Sequence, residues 1–236
     1  MQEFSTLDGA ILVDKPSGPT SHDVVDAIRR KFGIKKVGHC GTLDPAATGL
    51  LIIVLGRGTR LSEKLMGDDK VYEGTIRFGV STTSYDADGE VLETKALPPL
   101  TLEQLNEMAA QFIGDQMQTP PMVSAIKKGG VPLYKLARKG IEVEREPRLV
   151  HIYNFRFTGY SDPNGQFRLA CTKGTYVRSI AHELGQKIGC GAHLATLRRS
   201  ASGKFDVADA TALDAVLNMR FSELEKKVVP FLKLAP

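Results

Sequence analysis

The sequence predicts an α+β fold: a mixed, largely antiparallel sheet flanked by helices, with a protruding insertion at about 115–148. Three observations predict it. Residues 70–79 alternate with the two-residue period of a half-buried strand. Residues 20–33 and 101–114 each combine a capping box, an apolar stripe at helical spacing and a closing glycine. Strands and helices also mix without strict β-α-β alternation.

Taken in order, Ile11 to Val13 reads as a short strand ending in the turn Lys15-Pro16-Ser17-Gly18-Pro19. A helix follows. Thr20 and Asp23 form its capping box, Val24, Val25, Ile28 and Phe32 its stripe, and Gly33 its end. The glycine-rich loop 38–49 leads into the apolar run Leu50 to Leu55, a buried strand far too short to span a bilayer. In 70–79, Tyr72, Gly74, Ile76 and Phe78 share one face. Asp86-Ala87-Asp88-Gly89 is a hairpin turn. Thr101 and Gln104 cap a helix whose stripe is Leu105, Met108 and Phe112. The insertion carries Pro120, Pro121, Gly129, Gly130 and Pro132, with a short helix near Leu133 to Lys139. Strands return at 149–158 and 166–172, and a helix runs from about Val177 to Ile188. Two short helices fill 210–235.

The 236 residues are 42% hydrophobic and 25% charged, which fits a soluble globular domain and argues against disorder. The N-terminus has no basic-then-apolar pattern of a secretory signal. Cys40, Cys171 and Cys190 are odd in number and lack metal-ligand spacing, so neither a disulfide scaffold nor a zinc site is indicated, and a reducing cytoplasm is the natural home. Net charge is +4. Its distribution says more. Lys127, Lys128, Lys135, Arg138, Lys139, Arg145 and Arg148 crowd the insertion, and Arg29, Arg30, Lys31, Lys35 and Lys36 form a second cluster. Either alone reads as a solvated face; both beside a glycine-rich loop suggest a track for a phosphate backbone.

Asp44 precedes Pro45, which pushes it towards extended backbone, and Gly38, Gly41 and Gly49 allow close approach of another chain. Taken alone, Asp-Pro is ordinary turn chemistry. No second carboxylate lies nearby for paired hydrolysis, and the spacing is not that of a P-loop. A single carboxylate in a rigid loop suits covalent or acid–base work. Arg178, at a strand-to-helix junction, is able to grip a carboxylate bidentately or to be a plain surface arginine. Tyr72 and Tyr176 suit stacking on a base, although periodicity alone prefers core packing for Tyr72, beside Ile76 and Phe78. His22 and His39 read as polar loop or cap residues, and His182 as structural.

Six ordered segments resemble the bacterial tRNA pseudouridine-55 synthase family (TruB). They begin with Asp14-Lys15-Pro16-Ser17-Gly18-Pro19-Thr20-Ser21 and residues 38–51, GHCGTLDPAATGLL. They continue through Tyr72-Glu73-Gly74 and residues 118–125, QTPPMVSA. They end with Lys173-Gly174-Thr175-Tyr176-Val177-Arg178-Ser179 and residues 191–199, GAHLATLRR.

The resemblance implies a pseudouridine synthase fold and isomerisation of a uridine in the T-loop of tRNA, without cofactor or metal. The N-glycosidic bond breaks, the base rotates, and it rejoins through carbon 5. Asp44 would be the essential carboxylate, attacking the sugar or taking a proton from it. Tyr72 would stack on the flipped base, Arg178 would pair with Asp44, and Tyr176 and Leu197 would line the pocket. His39 would enter the space left by the flipped bases. Lys15, Pro16, Gly41 and Pro45 would support the catalytic loop, and the insertion would be an RNA-gripping thumb.

The chain is expected to be one catalytic domain, residues 1–236, without the family's usual C-terminal RNA-binding (PUA) domain. It is also expected to act as a monomer on the T-arm, with no membrane or obligate protein partner. Val123, Pro132 and Cys40 depart from the family's usual residues, which bears on the thumb's grip rather than on Asp44. A tRNA-folding chaperone, needing His39, Tyr72 and the thumb but not Asp44, is the alternative.

Overall fold

A computed structural model describes residues 7–124, 126–137 and 139–234. Arg138 of the basic insertion and Ala125 of the fourth motif lie outside the described residues. In chain order the elements begin with β1 (Gly9–Lys15), α1 (Ser21–Phe32), β2 (Val37–His39), β3 (Thr48–Leu55) and α2 (Ser62–Met66). There follow β4 (Lys70–Phe78), β5 (Val80–Thr82), β6 (Val91–Thr94), α3 (Leu102–Ala110) and β7 (Gly114–Gln118). The insertion holds β8 (Lys127–Lys128), β9 (Val131–Pro132) and α4 (Leu133–Ala137). Then come β10 (Arg148–Ser161), β11 (Asn164–Cys171), α5 (Val177–Ile188) and β12 (Ala192–Ser202). The chain closes with β13 (Phe205–Asp206), β14 (Thr211–Ala212), α6 (Leu213–Asn218), α7 (Phe221–Lys227), β15 (Val229–Pro230) and α8 (Phe231–Leu234). Among the described residues three short helices, not two, therefore fill the C-terminal stretch. Pro230 and the extended backbone of Val228 interrupt what reads as one helical segment.

Two compact units emerge, residues 1–72 with 198–236, and residues 73–197. The chain changes unit within β4 and again within β12. In the first unit β3 is wholly apolar from Leu50 to Leu55, and all six side chains are buried. β3 pairs antiparallel with β1, from Gly9↔Leu55 to Lys15↔Gly49, and with β2. The start of β3 pairs in parallel with β12 at Arg198↔Thr48 and Arg199↔Gly49. β14 runs parallel to β1. Ala10, Leu12, Leu50, Ile52, Val54 and Leu65 form one core cluster there. Helix α1 begins with the capping box of Thr20 and Asp23 and ends at Gly33 in the left-handed conformation. It buries Val24, Val25 and Ile28.

In the second unit β10 pairs antiparallel with β11 and with β7. Phe155, Phe157 and Phe167 pack edge-on or tilted beneath them. Helix α3 carries the capping box of Thr101 and Gln104 and buries Leu105 and Ala109. The predicted hairpin turn at 86–89 lies between β5 and β6, which pair antiparallel. The fold is thus α+β, with mixed but mainly antiparallel pairing and helices against it.

Candidate active site

Asp44 sits half-buried in the irregular segment between β2 and β3, flanked by the buried side chains of Leu43 and Ala47. Polar groups of the first unit hold its backbone on every side. The Ser21 hydroxyl, in the first turn of α1, accepts from the Leu43 N–H at 2.8 Å and donates to the Leu43 carbonyl at 3.1 Å. The Ala47 N–H donates to the Asp44 carbonyl at 3.1 Å, closing a turn around Pro45. The Gly18 N–H donates to the Pro45 carbonyl at 2.9 Å, tying the Lys15-to-Pro19 turn to the loop.

Lys15 is the deepest of these ties. It is fully buried at the end of β1. Its Nζ donates to the carbonyls of Pro16 (2.9 Å), Pro45 (3.0 Å) and Ala47 (2.6 Å), which uses all three N–H bonds of an ammonium. Burial pushes its pKa down to about 8, the negative charge of Asp44 acts in the opposite direction, and Arg199 adds to the lowering. Arg199 is equally buried. Its Nε donates to the Leu50 carbonyl at 2.8 Å, and an Nη donates to the Gly41 carbonyl at 3.1 Å. Gly41 has φ +96° and Gly49 φ +98°. A Cβ on Gly49 would lie 2.3 Å from the Arg199 carbonyl oxygen, so only glycine lets β3 start against β12. Lys15 thus ties its own turn, through the Pro16 carbonyl, to the Asp44 loop, of which Gly41 and Pro45 are themselves part. Ser21 and Arg199 also hold this loop, and sequence reasoning does not single them out. Their signal there is only membership in two of the six motifs.

His39 ends β2, half-buried, two residues before Gly41. Burial holds its pKa below the ordinary value, and the charges of Arg199 and His22 add to this, so its ring is neutral at pH 7. Tyr72 on β4 is partly exposed rather than core, unlike Ile76 and Phe78 further along the strand. All three cysteines are free and buried, and burial raises the Cys40 thiol to about 11.

Tyr176, Arg178 and Leu197 belong to the second unit. Tyr176 is the N-cap residue of α5, and the Gln118 side chain clamps its backbone. The Tyr176 N–H donates to Gln118 Oε1 at 2.7 Å, and Gln118 Nε2 donates to the Tyr176 carbonyl at 3.1 Å. Arg178 is not the surface arginine that its place in a first helical turn allows. Only 4% of it is exposed. Its guanidinium lies 3.2 Å from Asp86 Oδ2 and donates to the carbonyls of Ser84 (3.3 Å) and Val123 (2.8 Å). Sequence alone shows Asp86 only as a turn residue, because nothing in a hairpin motif tells which helix its carboxylate meets. Leu197 is half-buried on β12.

The basic residues of the insertion differ in exposure. Lys127, Lys128, Lys139 and Arg148 are exposed. Arg145 is half-buried and turned inward, donating to the Pro120 carbonyl (3.3 Å) and Glu142 (3.1 Å). In the other cluster Arg29 pairs with Asp26 and donates to the Val37 carbonyl, while Arg30, Lys31, Lys35 and Lys36 are exposed.

A family model described as TruB family pseudouridylate synthase, N-terminal domain, matches residues 29–177. The chain belongs to the TruB family. The model of the tRNA pseudouridylate synthase B C-terminal domain matches residues 178–233, so the two models meet at the first turn of α5. A tRNA pseudouridine synthase B of Opitutus terrae is 56% identical over 236 residues, covering all of this chain and 98% of that protein. One from Solibacter usitatus is 48% identical over 231 residues, 98% of this chain and 79% of its own length. Among solved structures, a chain of a Cbf5-Nop10-Gar1 complex matches with a TM-score of 0.76 and 26% identity. The match covers 97% of this chain and 61% of that one. The fold expected from the motifs is therefore the fold of this TruB family chain.

Proposed function

We propose that this chain is a tRNA pseudouridine synthase that isomerises the T-loop uridine (position 55), with Asp44 as its essential carboxylate. The observation that carries this reading is the tethered loop. In a TruB family chain, one half-buried carboxylate sits beside a buried ammonium, on a backbone fixed by Lys15, Ser21, Gly18 and Arg199. Such preorganisation suits a group that must meet one sugar carbon in one orientation.

The target uridine stacks within a folded RNA loop, so it is flipped out before reaction, at a cost of a few kcal/mol. Stacking on Tyr72, worth about 1–3 kcal/mol per base, offsets that. Asp44 acts on the sugar, as nucleophile or as base. The C1′–N1 bond breaks, the uracil turns, and carbon 5 bonds to C1′ and then loses its proton. Arg178 serves as the counter-charge of Asp44, Tyr176 and Leu197 line the base pocket, and neutral His39 fills the vacated stack. Exposed lysines of the insertion hold phosphates without reading sequence. The chain works as a monomer in the cytoplasm, with tRNA as its partner. No helix among the described residues is long and apolar enough to cross a membrane.

The test uses an unmodified T-arm stem-loop tritiated at carbon 5 of the target uridine. Wild-type protein should release the tritium and leave pseudouridine at that position alone. No product from either the stem-loop or full-length tRNA would reject the proposal.

A further inference from the structure

Arg178 owes its place to the turn between β5 and β6, and that turn is pinned to α5 at a second point. Ser84 and Asp86 both bind the Arg178 guanidinium. Between them stands Tyr85, with φ +65°, the one non-glycine residue of positive φ among the described residues. A bulky side chain in that region is strained and persists only where its surroundings over-determine it. Here the backbone is held from outside: the Leu194 N–H donates to the Tyr85 carbonyl at 2.9 Å, and the Ala87 N–H donates to the Leu194 carbonyl at 3.1 Å. Thr82 Oγ1 donates to the Asp86 carbonyl at 2.7 Å.

The ring of Tyr85 has a different neighbour. It lies on the imidazole of His182, with centroids 3.9 Å apart and planes 15° from parallel. His182 is four residues beyond Arg178, so the two side chains share a face of α5, one turn apart. Burial keeps the imidazole neutral at neutral pH. Its Nδ1 is buried without a hydrogen-bond partner among the described residues, so this nitrogen contributes no polar tie. What the pair offers is a flat contact that fixes the separation and angle of turn and helix.

We propose that the Tyr85–His182 stack is a positioning device for pseudouridine formation. It holds the strained turn against α5 so that Asp86 and the Ser84 carbonyl orient the Arg178 guanidinium. Neither ring is a catalytic residue. The proposal rests on the role of Arg178 given above. It differs from a purely structural role in one respect. Glycine at position 85 relieves the backbone strain while removing the ring, so a stack that serves only stability should tolerate Tyr85→Gly well.

Tyr85→Gly and His182→Ala are compared with Tyr85→Phe and His182→Phe, which keep the stack. Turnover number, KM for the T-arm stem-loop and melting temperature are measured for each. Loss of the stack should lower kcat by about tenfold, within the range that ångström-scale misplacement produces, with KM and melting temperature nearly unchanged. The phenylalanine variants should restore most of it. Added to Asp86→Ala, Tyr85→Gly should cost clearly less than it does alone, because one of the two groups that the stack positions is already gone. Wild-type kcat in both Tyr85→Gly and His182→Ala overturns the proposal, as does full additivity with Asp86→Ala. Arg178→Lys is the control. If it too turns over normally, the role of Arg178 falls and the proposal with it. If it is inactive while the stack variants are not, the stack proposal alone fails.

Discussion

Lys15 is a cation with each N–H committed to a carbonyl of its own turn or of the Asp44 loop. The neutral amine has one N–H fewer and leaves one carbonyl unanswered. The working form is therefore the protonated one. Burial has moved the pKa down to about 8 from the ordinary 10.5. The protonated fraction is nearly complete at pH 7 and falls as pH rises through about 8. The turnover number on the T-arm should accordingly decline above pH 7 with a midpoint near 8, and Lys15→Met should lack this limb at its lower plateau. A profile flat to pH 9 would contradict it. In the sequence Lys15 is only a motif residue beside a turn. That the lysine points inward, and what it binds, depends on a loop thirty residues away in the chain.

At the scale of elements, β3 and β12 carry the loop between them. Gly49 begins β3 against the Arg199 backbone, and the Arg199 side chain reaches forward to Leu50 and Gly41. Gly49→Ala forces a methyl group to 2.3 Å from a carbonyl oxygen at a positive φ. It should destabilise the protein by more than about 2 kcal/mol in urea unfolding, combining a left-handed backbone penalty with overpacking. A loss below about 0.5 kcal/mol, the scale of an ordinary surface substitution, would show that the strands separate easily. Local signals predict the elements well. Both capping boxes, the apolar β3 and the helix from Val177 to Ile188 follow from spacings within a dozen residues. Alternation also puts Arg198 and Arg199 on opposite faces of β12. It does not say which face is inside. In the fold Arg199 is buried and Arg198 turns to Asp14, at 2.7 and 3.0 Å. The same limit hides Asp86, since its partner Arg178 lies more than ninety residues further on.

The whole molecule has an excess of only four positive charges, so binding to a polyanion depends on where they stand. Arg30, Lys31, Lys35 and Lys36 are exposed on the segment that leads from α1 to His39 and the Asp44 loop. Replacing Arg30, Lys31 and Lys36 together by glutamine should raise KM for tRNA several-fold and leave kcat unchanged. The slope of log affinity against log salt should become shallower by about 0.7–0.9 for each phosphate that is no longer neutralised. An unchanged slope would mean that RNA does not follow this edge. Substitutions of this kind test grip, whereas the proposed chemistry rests on one carboxylate. The most direct measurement is therefore tritium release by Asp44→Asn from the carbon-5-labelled T-arm, with circular dichroism and RNA binding recorded on the same preparation. Wild-type spectra and binding are expected, with no detectable release over many wild-type turnover times. Release at a rate near that of wild type would contradict the role of Asp44 and leave the loop a structural turn.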